Sequence, residues 1–277
     1  MLDDILLVSN KNMNPLNYTL LIKRLPSWLY KFGAKLYIDY TFPRHIFIET
    51  TTRCNLKCPM CPRPDINEDM EWGIFIKIID EAKQYGSRSF SLHLFGEPLL
   101  DITLVDKIKY IKSANKKNSI ILTTNGTIHN REVYDLVDKI IITYKLPLNL
   151  ITREEWRYKI MLRLFDDYHI PKGWQVERKD YHNYGGNVQV ADIANSRRYP
   201  CYHLWLAPAI AYNGDILICC NSPYHDKSSL LGNIKNTTLA EVWKGLYLTL
   251  LRNNHKCGVY GGICSQCNVY KTYPSLF

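Results

Sequence analysis

Short apolar runs with a period of two alternate with longer runs of helical period through the middle of this 277-residue chain. Segments 45–50, 88–94, 118–123, 139–144 and 174–179 are brief, rich in β-branched and aromatic residues, and bounded by polar or glycine-containing stretches, which predicts five strands. Segments 74–85, 104–113, 130–137 and 153–168 space their apolar residues three and four apart, which predicts helices between them. Strand and helix in turn is the pattern of a parallel sheet or barrel, whose chemistry sits at the carboxyl ends of the strands. A sixth strand is not evident, so a barrel built from these segments is expected to be abbreviated.

The flanks differ from this core. Residues 1–44 place Leu16, Leu20, Leu21, Leu25, Trp28 and Leu29 near helical spacing, interrupted at Pro26, and predict a helical lead-in. Lys23, Arg24, Lys31 and Lys35 would suit a membrane interface, but an apolar helical face more often packs on its own domain. Residues 45–195 form the βα region and 196–277 a smaller unit. In that unit Tyr212-Asn-Gly-Asp215 predicts a tight turn into a strand at 216–220, and Thr238 caps an amphipathic helix.

Composition narrows the class. The chain is 46% hydrophobic and 12% aromatic, enough for a real core, and no run approaches the length of a membrane span. The start lacks a basic n-region and cleavage site, so a cytoplasmic location is expected. In reducing surroundings nine cysteines point to metal ligation before disulfides. The formal charge of +9 comes from scattered residues, with Lys116-Lys117 and Arg197-Arg198 the densest runs; no nucleic-acid motif accompanies them, and a diffuse positive surface or an anionic substrate is the simpler reading.

The strongest chemical signal is Cys54, Cys58 and Cys61, a CxxxCxxC loop directly after the first strand. Soft thiolates select zinc, copper(I) or iron-sulfur clusters, and three of them leave one iron of a 4Fe-4S cube open. Zinc is the competing occupant, but its sites usually pair two short-spaced couples. The loop resembles the signature of the radical S-adenosylmethionine (radical SAM) family. Phe95-Gly96-Glu97-Pro98 after the second strand resembles that family's GGEP motif with its first glycine replaced, and Thr124-Asn125-Gly126 after the third resembles the polar strand end that contacts the SAM ribose.

The resemblance implies an α/β fold with a partial parallel βα barrel. It also implies a 4Fe-4S cluster on Cys54, Cys58 and Cys61, and SAM bound by Met60, Gly96, Glu97, Pro98, Thr124 and Asn125. Reductive SAM cleavage would then give a 5′-deoxyadenosyl radical, with an external donor such as flavodoxin or ferredoxin supplying the electron. Cys201, Gly214, Cys219 and the Cys264-Ser-Gln-Cys267 pair resemble the SPASM or twitch extension of such enzymes, which implies a second, auxiliary 4Fe-4S cluster on Cys201, Cys219, Cys264 and Cys267. Structural zinc fits that cysteine pattern as well. Adjacent on the predicted strand, Cys219 and Cys220 point to opposite faces and the glycine spacing favours Cys219, so Cys220 stays unassigned, as does Cys257. His182-Asn-Tyr-Gly-Gly186 resembles a linker segment in relatives, which implies a place lining the active site.

An auxiliary cluster with four protein ligands suits electron acceptance, which favours oxidation of a small polar or carbohydrate-like substrate. Such a step releases a proton, and Glu49, His93 and Asp180 on strands are the candidate bases. Alternation puts Glu49 with Phe47, and His93 with Ser91, on one face, expected to be the barrel interior. A peptide-modifying maturase is the alternative enzyme, and a zinc-stabilised binding protein the alternative outside catalysis.

Overall fold

The computed structural model describes residues 39–144, 149–190, 200–224 and 226–268. The expected helical lead-in falls almost wholly outside these residues, as do Arg197 and Arg198. Six parallel strands form the body of one sheet: β1 (His45–Ile48), β2 (Ser89–Ser91), β3 (Ser119–Thr124), β4 (Lys139–Tyr144), β5 (Ile160–Leu164) and β6 (Gln175–Arg178). They run in the order β6-β5-β4-β3-β2-β1, and the sheet is open. The sixth strand thus exists and is β5; the reading of 153–168 as a helix is corrected to a 3₁₀ turn over Ile151–Trp156 followed by this strand. Trp156 and Ile160 stand four apart and mimic a helical face, whereas Ile160, Leu162 and Leu164 alternate and are buried.

The helices between strands are amphipathic for the expected reason. In α1 (Trp72–Lys83), Ile74, Phe75, Ile78, Ile79 and Ala82 make one buried stripe. In α2 (Leu104–Ala114), Leu104, Ile108 and Ile111 do the same, and Lys107 is buried among them in an ion pair with Asp101 at 2.7 Å. The short α3 (Arg131–Leu136) starts where the Asn130 side chain accepts from the Val133 amide at 3.1 Å. These faces meet Ile46, Ile48, Phe90, Leu92, Ile120, Leu122, Ile140 and Ile142 in one core.

Alternation then fixes what the opposite face of the sheet carries. His45, Phe47 and Glu49 from β1 and its end, Ser91 and His93 from β2 and its end, and Arg163 from β5 lie out of phase with that core. Arg163 pairs in register with Glu177 of β6. Arg163 acts electrostatically on His93 three strands away. β2 and β6 lie four strands apart in the sheet, yet Phe95 after β2 packs against Tyr184 after β6 with ring centroids 5.8 Å apart, so the sheet curls around this polar face.

The last third extends the same sheet. After α4 (His203–Leu206), β7 (Ala209–Ile210) pairs parallel to the free side of β1, and β8 (Asp215–Leu217) and β9 (Leu230–Asn233) follow antiparallel. The turn at Tyr212–Asp215 forms as expected, with Gly214 at φ 91°. The predicted strand is shorter than expected: β8 ends at Leu217, and Cys219 and Cys220 sit in the bend beyond it. Then come α5 (Leu239–Lys244), opened by a Thr238–Glu241 capping box, α6 (Leu246–Lys256) and the single-turn α7 (Ile263–Gln266). A second core of Leu204, Trp205, Ile218, Trp243, Leu248, Leu251 and Ile263 holds this unit. The Glu81 carboxylate of α1 accepts from the Leu239 and Ala240 amides at 2.9 and 2.8 Å, tying it to the barrel.

Candidate active site

The loop after β1 is braced before it reaches its cysteines. Arg53 forms a two-point contact with Asp69 at 3.0 and 2.7 Å and donates to the Leu100 carbonyl, while Arg63 donates to the Thr52 and Ile66 carbonyls. Between these anchors Cys54, Cys58 and Cys61 are partly exposed free thiols, and the Cys61 amide donates to the Cys58 carbonyl at 3.0 Å, turning the chain at Met60. Burial pushes the Cys61 thiol up, and the neighbouring Cys58 and Cys54 push it further, so the three sulfurs share one small region.

The loop after β2 docks on this one through backbone. The Glu97 amide donates to the Arg53 carbonyl at 2.7 Å. A Cβ added at Gly96 would lie 2.0 Å from the Thr51 carbonyl oxygen, so only glycine fits. The buried Glu97 side chain accepts from the Thr124 hydroxyl and the Asn125 amide, both at 2.7 Å, and from the Leu99 amide at 3.2 Å. Burial raises its pKa, with those three donors pulling against the rise. Asn125 Nδ2 donates to Asn55 Oδ1 at 2.9 Å and stands 4.0 Å from Cys54 Sγ. The structure thus gathers the cysteine loop, Met60, Gly96-Glu97-Pro98 and Thr124-Asn125 at the carboxyl ends of β1, β2 and β3.

Phe95, in place of a glycine, is buried and packs against Tyr184 and Tyr224, with ring centroids 5.8 and 5.3 Å away. Both tyrosines come from the later part of the chain. Gly185 and Gly186 beside Tyr184 press on α7, where a Cβ would meet Ile263 and Gln266. Asn183 and Asn268 exchange side-chain-to-amide hydrogen bonds at 3.0 and 3.1 Å. The segment Tyr181–Gly186 therefore lies between the two cysteine regions.

Glu49 is fully buried, accepting from the Phe95 amide at 3.2 Å and the Tyr212 amide at 3.3 Å. Burial raises its pKa to about 7, against the pull of the Tyr224 hydroxyl and nearby amides. His93 behaves oppositely: burial lowers its pKa to about 3, helped by Arg163, and its buried Nδ1 has no hydrogen-bond partner. Asp180 is exposed beyond β6 and is not brought to this face.

The second cysteine region is one cavity lined by Cys201, Cys219, Cys264 and Cys267 together with His203 and His255. Burial raises the Cys201 thiol well above its usual value, and Cys219, Cys267 and Cys264 add to the rise. Cys220 turns the other way. Its thiol is raised first by burial, and Lys179 and Arg163 act on it from the polar face of the sheet. Cys257 is exposed and does not line the cavity. Among the described residues no three His, Cys, Asp or Glu groups meet the spacing for a single metal ion.

The sequence reading singled out His182 and Tyr184 only as part of a linker-like segment, and missed Arg163, Glu177, Lys179, His203, His255 and Tyr224. Arg163 carried a signal in the alternation of 160–164; the others come together only through long-range packing.

Comparison with known proteins matches residues 48–165 to the radical SAM superfamily and residues 201–268 to SPASM, an iron-sulfur cluster-binding domain. A cofactor-modifying protein for tungsten-containing aldehyde ferredoxin oxidoreductase from Pyrococcus furiosus is 29% identical over 94 residues, covering 32% of this chain and 26% of the relative. A GTP 3′,8-cyclase from Clostridium perfringens is 29% identical over 140 residues, 48% of this chain and 40% of the relative. The chain therefore aligns with less than half the length of either.

Among solved structures, BtrN in complex with AdoMet and 2-DOIA superposes with a TM-score of 0.67 at 17% identity, covering 81% of this chain and 92% of that one. Streptococcus suis SuiB bound to precursor peptide SuiA gives 0.60 at 15%, covering 92% and 75%. At such identities these likenesses establish the fold. No helix among the described residues is long and apolar enough to cross a membrane.

Proposed function

Since the chain belongs to the radical SAM superfamily and carries a C-terminal SPASM domain, we propose that it uses a SAM-binding 4Fe-4S cluster and an auxiliary 4Fe-4S cluster to dehydrogenate a small polar or carbohydrate-like substrate. The observation that carries this reading is the presence of a three-thiol loop after β1 and a four-cysteine cavity in the last third, bridged by the segment around Tyr184.

The residues suit the groups they are proposed to hold. Cys54, Cys58 and Cys61 would hold the first cluster, leaving one iron for SAM, whose methionine end fits the Gly96–Glu97 strap that excludes any side chain. The Glu97 carboxylate would accept from the methionine ammonium, and Met60, Pro98, Thr124 and Asn125 would complete the wall. Cys201, Cys219, Cys264 and Cys267 would hold the auxiliary cluster; a cube takes one thiolate per iron and keeps its cysteines further apart than a single zinc does. When bound, the clusters supply one electron for reductive SAM cleavage, which starts hydrogen-atom abstraction, and accept another from the substrate.

This chain's own residues manage the proton. Glu49, with a pKa of about 7 and a buried carboxyl at the polar face, is the proposed acceptor of the proton released on oxidation. His93 is a poor base at its depressed pKa and is assigned to hydrogen-bond the substrate through its open Nδ1. Phe95, Tyr184 and Tyr224 close the space between the SAM strap and the auxiliary unit against water. Residues 45–195 act as the catalytic barrel and 196–277 as the electron-accepting unit. The maturase reading shares all these parts and differs only in substrate.

Anaerobic reconstitution should yield roughly eight irons and eight sulfides per chain, with 5′-deoxyadenosine formed under reductant. C58A should lose that formation. C264A should lose about four irons and the substrate product while retaining 5′-deoxyadenosine. Two zinc ions per chain without SAM turnover would sink the proposal in favour of a binding protein.

A further inference from the structure

Beyond the residues assigned to SAM, the polar face of the sheet carries a cluster of charge on and just after β5 and β6. Arg163 Nε and Glu177 Oε2 are 3.0 Å apart across β5 and β6, and Lys179 Nζ approaches Glu177 Oε1 at 3.7 Å. All three side chains are only about one fifth exposed. Cross-strand ion pairs of this kind normally decorate a solvated face, where they add little. Here two cations converge on one carboxylate inside the curl of the sheet, which leaves a positive field in a poorly solvated space.

That field reaches the elements facing the space. Arg163 and Lys179 both act on His93 after β2 and on His182 of the linker. Burial first, with these cations adding to it, keeps both imidazoles neutral. The buried Nδ1 atoms of His93 and His182 have no hydrogen-bond partner. A neutral imidazole nitrogen beside a guanidinium and an ammonium can donate to an oxyanion while adding no charge of its own.

We propose that Arg163 and Lys179 form an oxyanion subsite at the open ends of β5 and β6, so that the substrate carries a carboxylate or phosphate group. Glu177 is the resident counter-anion that holds both cations in place, and the histidines line the path toward Glu49. This rests on the reading of the polar face as the substrate chamber.

The test titrates the anaerobically reconstituted protein with SAM bound, using glycerol 3-phosphate, glycerate and glycerol as probes and calorimetry as the readout. At least one charged probe should bind about tenfold or more tightly than glycerol. The better of the two identifies phosphate or carboxylate as the group. R163M and K179M, checked for full iron content, should each erase most of that preference, whereas E177Q should leave it intact or increase it. Equal binding of all three probes, or a loss in E177Q matching that in R163M, overturns the subsite. So does absence of binding by a sample whose reduced-cluster paramagnetic spectrum still responds to SAM. A spectrum that ignores SAM instead removes the chamber reading, and the subsite with it.

Discussion

Single residues decide how closely the loops of this protein approach one another. Gly96 is the clearest case, because the Thr51 carbonyl occupies the place a methyl group would take. G96A must push the strap away from the cysteine loop; the expected cost is about 1–3 kcal/mol in a denaturation experiment, with a larger loss of SAM binding read from cluster spectra. The motif around Gly96 was legible from residue order alone, whereas the role of Phe95 was not. Its aromatic partners Tyr184 and Tyr224 lie about 90 and 130 positions later, beyond any local pattern. Cys219 and Cys220 make a related point: sequence alternation suggested opposite directions, and the divergence arises in a bend after β8.

At the scale of elements, periodicity worked wherever one face was apolar and the other polar, as in α1 and α2. It failed at β5 because Trp156 and Ile160 belong to different elements that happen to be spaced like one helix. That failure hid Arg163, and with it the cation pair on the polar face. Docking of the last third includes a contact no local pattern contains, the Glu81 carboxylate on the first amides of α5. E81A should cost about 1 kcal/mol, as loss of a helix cap does. The melting temperature should drop by about 2–4 °C, with E81Q between the two.

For the whole molecule, Glu49 joins three parts: the end of β1, the strap after β2 through the Phe95 amide, and the unit after β7 through the Tyr212 amide. Its folded pKa of about 7 exceeds its ordinary 4.5, so the native state keeps a proton that the unfolded chain has released. Stability is therefore fullest below about pH 4.5 and declines as pH rises through about 7, by about 3 kcal/mol in total. Melting of the reconstituted protein should show the end of this decline from about pH 6 to about pH 7.5, and E49Q should flatten it. Turnover should run the other way, rising as the carboxyl ionises, and should be lost in E49Q.

Because β7 pairs with β1, the amides of Phe47 and Glu49 reach acceptors at Pro208 and Ile210, 3.0 and 2.9 Å away. The barrel's first strand consequently has no raw margin of its own, and what a domain boundary on paper would separate is a single fabric. Cutting the chain near residue 200 would strand those donors on a newly bared border, an adhesive seam inviting other copies to zip onto it.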